Sequence, residues 1–409
     1  MPYCLVSGGG RRDEEEEEEV RIFYQRYGHG GTKVLLISGL AGTHESWGPQ
    51  VKALTGTVGP SAADEEEAPP PASSAAAAED RRNPEEGVEA CCFDNRGAGR
   101  SSAPARRSRY TTAAMARDAL ALMDRLGWRK AHVFGHSMGS MVASKLAAVA
   151  PERVASLALL GATGGGYQCV PKLDWGTVSL ACRFLTATTP EQRAAIDLET
   201  HYTRQYLDEQ IGSSITTRRE MLYHEYVKGL SSPGGMQSRH GFDGQMNACW
   251  THELSPKELD RIRSAGFPVL IIHGRDDVVA QSCHARRLAE KLQPAAKLVE
   301  LRGGHLVSHE RPVEVNMSLM EVIKASRSNM DLAEWSKVPD KKPDDKCVII
   351  LAGSAGSLAK RDDRLTTTYN QLPKIQLFVF GAFYAILEQV KSVIRSLKPV
   401  TDCLLLLPP

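Results

Sequence analysis

The apolar positions of this chain fall into two patterns. The runs KVLLIS from Lys33, VEACCFD from Val88, AHVFGH from Ala131, VASLALL from Val154, PVLIIHG from Pro268 and KLVEL from Lys297 are nearly continuous in apolar residues. Runs of this length without polar alternation belong to strands buried on both faces, which occur in parallel sheets. Between them, MARDALALMDRLGW from Met115, MVASKLAAVA from Met141 and HARRLAEKLQ from His284 repeat their apolar residues at helical spacing. The alternation predicts an α/β fold, a mostly parallel sheet flanked by helices, over residues 1–330.

Three segments depart from that rhythm. Residues from about 60 to 86 are alanine, proline and glutamate with little to bury, which predicts a disordered surface insertion between two strands. From about 164 to 259 the strand pattern stops and helical patterns take over, predicting a helical cap over one edge of the sheet. Residues 331–346 read as a charged linker, and 347–409 as an apolar helical tail. In that tail the run Leu377–Leu387 has eleven residues, about 16 Å as a helix against a hydrocarbon core of about 30 Å. Val390, Val393, Ile394 and Leu397 continue it at helical spacing with Lys391, Arg395 and Lys398 on other faces, so residues 375–398 suit peripheral contact with a membrane surface. A helix docked on the domain is the competing expectation.

Charge changes the picture by exclusion. Lys and Arg number 50 against 49 Asp and Glu, so no basic field draws the protein to nucleic acid. Nine cysteines without a C-x-x-C pair read as reduced thiols. The opening MPYCLVSGGGRRDEEEEEEV lacks the apolar core of a signal peptide. The expectation is an intracellular protein, cytoplasmic or peripherally bound to a membrane, and not secreted.

The candidate chemistry begins at VFGHSMGSM, where Ser137 stands between Gly135 and Gly139, after a strand pattern and before a helix pattern. A sharp strand-to-helix turn would expose the serine hydroxyl at the carboxyl edge of the sheet, and it tolerates only small neighbours two positions away. A serine nucleophile needs a base and an acid that orients it. His305 follows KLVEL in the glycine-rich LRGGHLVSHERP, and Asp277 follows PVLII in HGRDD, so consecutive strands deliver acid and base to the same edge. Oxyanion donors are expected at the amides of Met138, next to the serine, and Leu40, in the loop ISGLAGTHESW after the first parallel strand. In FDNRGAGRSS, Asp94 and Arg96 are expected to brace the loop as an ion pair.

The ordered set SGLAGTHESW, FDNRGAGRS, GHSMG, HGRDD and GGHLVSHERP, spanning roughly Val20 to Lys324, resembles the alpha/beta-hydrolase superfamily, and most of all a plant group within it. The resemblance implies an alpha/beta-hydrolase fold with an eight-stranded, mostly parallel sheet flanked by helices and a helical cap. It implies the triad Ser137, Asp277 and His305 with oxyanion donors Leu40 and Met138, and neither cofactor nor metal. Many members carry His-Gly where this chain has Ser38-Gly39. The expected activity is a serine hydrolase cleaving a small-molecule ester, thioester or lactone; a ligand-sensing receptor of the strigolactone or karrikin type and an acyltransferase are the alternatives.

Overall fold

Each of the six apolar runs becomes a strand, and two strands precede them. In chain order these are β1 (Tyr3–Val6), β2 (Val20–Gly28), β3 (Thr32–Ile37), β4 (Val88–Phe93), β5 (Ala131–His136), β6 (Val154–Leu160), β7 (Val269–Gly274) and β8 (Ala296–Leu301). They form one sheet in the order β1-β2-β4-β3-β5-β6-β7-β8. The pairs β1–β2 and β2–β4 are antiparallel, and all others are parallel. The two antiparallel strands escape the apolar pattern because β1 has only four residues and β2 is interrupted by Arg21, Gln25 and Arg26. The computed structural model describes residues 2–6, 19–61, 87–172, 174–212, 215–232, 235–328 and 331–336. Nearly all of the expected insertion, the linker beyond 336 and the whole tail lie outside these residues. The sheet belongs to a unit of Met1–Leu180 and Thr188–Val348; of the other unit, only Ala181–Ala187 is among the described residues.

Helices cover both faces. They are α1 (Gly48–Thr55), α2 (Thr112–Arg125) and α3 (Met138–Val149), then α4 (Trp175–Thr186), α5 (Pro190–His201), α6 (Arg204–Leu207), α7 (Arg218–Ser231) and α8 (Arg239–Thr251) between β6 and β7. After them come α9 (Pro256–Ser264), α10 (Ser282–Lys291), α11 (Val307–Glu310), α12 (Pro312–Arg327) and α13 (Leu332–Trp335). Because side chains alternate across a strand, Leu35 and Val133 pack with Met115, Leu122, Val142, Ile262 and Leu288 on one face, while Leu36 and Phe134 pack with Val51, Leu54, Leu319 and Val322 on the other. The segment between β6 and β7 is helical because its sequence starts helices repeatedly: Thr189 caps α5 ahead of Pro190, and Thr217 with Glu220 closes a capping box on α7.

The expected start of the linker is part of this unit. Trp335 is buried and its indole N–H donates to the Val269 carbonyl at 2.9 Å, so residues 331–336 pack against the sheet at the start of β7. Among the described residues Cys4, Cys91, Cys92, Cys169, Cys182 and Cys249 are free thiols, as expected, whereas Cys283 is disulfide-bonded, against the expectation of reduced cysteines. Among the described residues no helix is long and apolar enough to cross a membrane.

Candidate active site

The turn from β5 into α3 explains why its motif needs glycines. A Cβ on Gly135 would lie 2.2 Å from the Gly139 carbonyl oxygen, and one on Gly139 would lie 2.0 Å from that of Ile37, so neither position admits a side chain. Ser137 itself takes φ 54° and ψ −118°, a conformation that costs a non-glycine residue about 1–3 kcal/mol. Its amide donates to the Leu160 carbonyl at 2.8 Å, and its carbonyl accepts from the Ser140 amide at 2.9 Å, which holds the turn against that strain.

Asp277 and His305 converge on this serine as the chain order predicts. Asp277 sits in the loop after β7, where Oδ1 accepts the Val279 and Ala280 amides, each at 2.8 Å. Its Oδ2 lies 2.8 Å from His305 Nδ1, and His305 Nε2 lies 3.0 Å from Ser137 Oγ. Burial alone would raise the Asp277 carboxyl; the charge and hydrogen bond of His305, with help from His273 and the Ala280 amide, outweigh it and hold the group at about 2. The ionised carboxylate can only accept, so the imidazole proton rests on Nδ1 and Nε2 keeps the lone pair that faces the serine hydroxyl. Asp276 is exposed.

The loop after β3 lies against the serine. A Cβ on Gly39 would come within 3.2 Å of both Ser137 Cβ and the His136 carbonyl oxygen, so the backbone there approaches closely. Among the described residues, the amides of Leu40 and Met138 have no hydrogen-bond partner, unlike their neighbours Ala41 and Ser137. Side chains hold the loop from three directions. Ser38 Oγ donates to the Thr43 carbonyl at 2.8 Å, Asn95 Nδ2 donates to the Ser38 carbonyl at 2.8 Å, and the Ala41 amide donates to Gln245 Oε1 at 2.9 Å. Ser38 therefore braces the loop through both its side chain and its carbonyl.

Two further residues of the site have roles that no sequence motif assigns. His136 Nε2 lies 2.9 Å from the His305 carbonyl oxygen and must donate to it, tying the backbone of His305 to the residue before the serine. Burial, then the neighbouring charge of His305, pushes the His136 imidazole down to about 3, so it stays neutral. Gln245, fully buried in α8, accepts from Ala41 and from Gln237 Nε2 at 2.8 Å, and donates to the Arg96 carbonyl at 2.9 Å. Replacing it by leucine leaves the Ala41 amide and the Arg96 carbonyl buried without partners, each costing about 1–3 kcal/mol. Gln245→Leu is expected to lower the melting temperature and to lower kcat by about tenfold with a smaller change in KM. Steady-state kinetics beside thermal melts will separate loop displacement from simple destabilisation.

The expected pair of Asp94 with Arg96 does not form. Asp94 Oδ1 accepts the His44 amide at 2.7 Å and lies 2.9 Å from His44 Nδ1, and its Oδ2 accepts the Arg100 amide at 2.8 Å. Arg96 reaches instead into α2, where two nitrogens meet Asp118 at 2.6 and 2.5 Å. Of the aromatic residues of the β6–β7 segment, Tyr202 is buried with Leu198 and Leu207, beside the partly buried Tyr206, Tyr223 and Tyr226, whereas Trp175 is 89% exposed.

Comparison with known proteins fits this architecture. Residues 33–312, more than half of the chain, match the model of the alpha/beta hydrolase fold. The chain belongs to the alpha/beta-hydrolase family. Among relatives, it is 25% identical to a putative carbamate hydrolase of Azorhizobium caulinodans over 74% of this chain and 94% of that one. It is 28% identical to a putative non-heme bromoperoxidase of Mycobacterium tuberculosis over 58% and 82%. It is 29% identical to an acetyltransferase component of the acetoin cleaving system of Pseudomonas putida, over 50% of this chain but only 48% of that protein. The enol-lactonase of Burkholderia xenovorans shares its alpha/beta-hydrolase fold with a TM-score of 0.56 at 21% identity, covering 79% of this chain and all of the other.

Proposed function

We propose that this alpha/beta hydrolase is a serine hydrolase that cleaves a small-molecule acyl compound, an ester, thioester or lactone. The observation that carries the reading is the continuous chain from Asp277 Oδ2 through the His305 imidazole to Ser137 Oγ, with hydrogen bonds of 2.8 and 3.0 Å. In this reading Ser137 Oγ attacks the carbonyl as its proton passes to His305 Nε2. The imidazolium is stabilised by Asp277, and the same proton then goes to the leaving group. The amides of Leu40 and Met138, which among the described residues have no hydrogen-bond partner, take the oxyanion. Water repeats the sequence on the acyl-enzyme and frees the acid. The helices between β6 and β7 serve as a cap that shapes the substrate site. The names of the carbamate hydrolase and enol-lactonase relatives support an acyl substrate.

The test is turnover of 4-nitrophenyl acetate and butyrate followed to many equivalents of product. Steady release of nitrophenol is expected. A burst of one equivalent with no further release would overturn the reading in favour of a ligand-sensing role.

A further inference from the structure

The side chains behind His305 carry a second, independent statement about protons. His309 Nε2 lies 2.9 Å from the Ser46 carbonyl oxygen, which can only accept, so Nε2 carries a proton. Burial lowers the affinity of this imidazole for a second proton, leaving Nδ1 as a bare acceptor. Tyr202 Oη stands 3.4 Å from that Nδ1 and must donate to it. The Tyr202 oxygen is then free to accept from Tyr226 Oη at 3.2 Å. With its own proton so committed, Tyr226 Oη accepts from His201 Nδ1 at 3.3 Å. One carbonyl thus sets the direction of every bond in the chain and leaves His201 neutral with its lone pair on Nε2.

The ring that carries this nitrogen stands beside His305. His201 ends α5, its ring lies at 29° to that of His305 with centroids 6.3 Å apart, and its carbonyl accepts the Leu306 amide at 2.9 Å. The residue is half-buried, and among the described residues Nε2 has no hydrogen-bond partner. Burial, with the charges of His305, His136, Arg193 and His309, keeps the imidazole well below its ordinary affinity for protons, so it does not become a donor at neutral pH.

We infer that His201 Nε2 is a substrate-binding acceptor, selecting acyl compounds whose acyl chain carries a hydroxyl or N–H donor close to the scissile carbonyl. The inference rests on the proposed hydrolase reading and adds its substrate class. A fixed acceptor of this kind rejects the O-methylated analogue, which offers it no proton and sets an oxygen lone pair against its own.

The probes are 4-nitrophenyl glycolate and 3-hydroxypropionate, each compared with its O-methyl ether, with rates normalised to alkaline hydrolysis. The full chain is expected to favour the free hydroxyl in one of the two pairs by about tenfold or more in kcat/KM. His201→Phe should bring that ratio close to one. Tyr202→Phe is a second route that leaves His201 in place: with the chain cut, Tyr226 can donate to His201 Nδ1, Nε2 then carries the proton, and the preference for the hydroxyl should disappear. Nitrogen-15 NMR of the intact protein should show Nε2 of His201 unprotonated and Nδ1 protonated. A protonated Nε2, or turnover of all four esters without preference, overturns the inference while leaving the hydrolase reading standing. Failure to turn over any of the esters strikes at that reading instead, and the NMR measurement still decides the state of His201.

Discussion

Replacing Ser137 by alanine is expected to abolish labelling by a fluorophosphonate probe and to lower kcat by about 10⁶-fold, with about 10³-fold over water remaining from the oxyanion site and binding. The drop is that large because, in the proposed mechanism, serine, histidine and aspartate act as a unit: without Oγ, the proton acceptor at His305 Nε2 and the amides of Leu40 and Met138 have no attacking atom to serve. The fold should survive. Among the described residues the Ser137 side chain is bonded to His305 Nε2 alone, and the amide and carbonyl that hold the turn are backbone groups that alanine retains. Circular dichroism should therefore match the parent while labelling vanishes. Undiminished labelling of the variant would show that another residue reacts and that the assignment is wrong.

Asp277→Asn is expected to cost about 10³–10⁴ in kcat, and Asp276→Asn less than threefold. The geometry determines which way the new amide turns. Val279 and Ala280 aim two N–H groups at the Oδ1 position, so the asparagine carbonyl must stay there, and its NH₂ then points at His305 Nδ1. Faced with a donor, the imidazole moves its proton to Nε2 and meets the Ser137 hydroxyl with an N–H in place of a lone pair. Asp276 is exposed, and its amide, which donates to the Gly303 carbonyl, is unaffected by the change. Kinetics of both variants on one ester decide the matter, and the reverse ranking would overturn the role of Asp277. The Asp277 carboxyl, depressed to about 2 from an ordinary value near 4, contributes its full stabilisation above about pH 4 and loses it only as pH falls through 2. A plateau in Asp277-dependent stability across neutral pH follows.

What could be read in the chain, and what could not, divides by the range of the physics. The strands β3 to β7 were legible because burial on both faces leaves nearly continuous apolar runs, while the partly buried edge strand β8 showed only the short run KLVEL. Ser137, Asp277 and His305 were legible because each directly follows a strand, so the connectivity of a parallel sheet carries all three to one edge. Strand β2 was hidden because its partly exposed positions accept Arg21, Gln25 and Arg26. The partner of Arg96 was misplaced because a neighbour two positions away was preferred to one 22 positions on; Asp94 is already occupied by His44 and the Arg100 amide. The roles of His136, Gln245 and His201 left no sign in the sequence. Their partners are separated from them by 169, 204 and 25 positions, and a glutamine or histidine looks the same whether it faces solvent or closes a polar network.

The bridge from Gln245 to Ala41 has a consequence for engineering. Exchanging the helices between β6 and β7 as one module would not leave the loops around Ser137 untouched. Here the module and the centre share a fastening: one amide side chain of α8 grips the loop after β3 and the loop after β4 together. A transplanted segment lacking an amide at this point would alter chemistry along with selectivity, so recombination breakpoints belong outside α8, and library designs should hold position 245 constant.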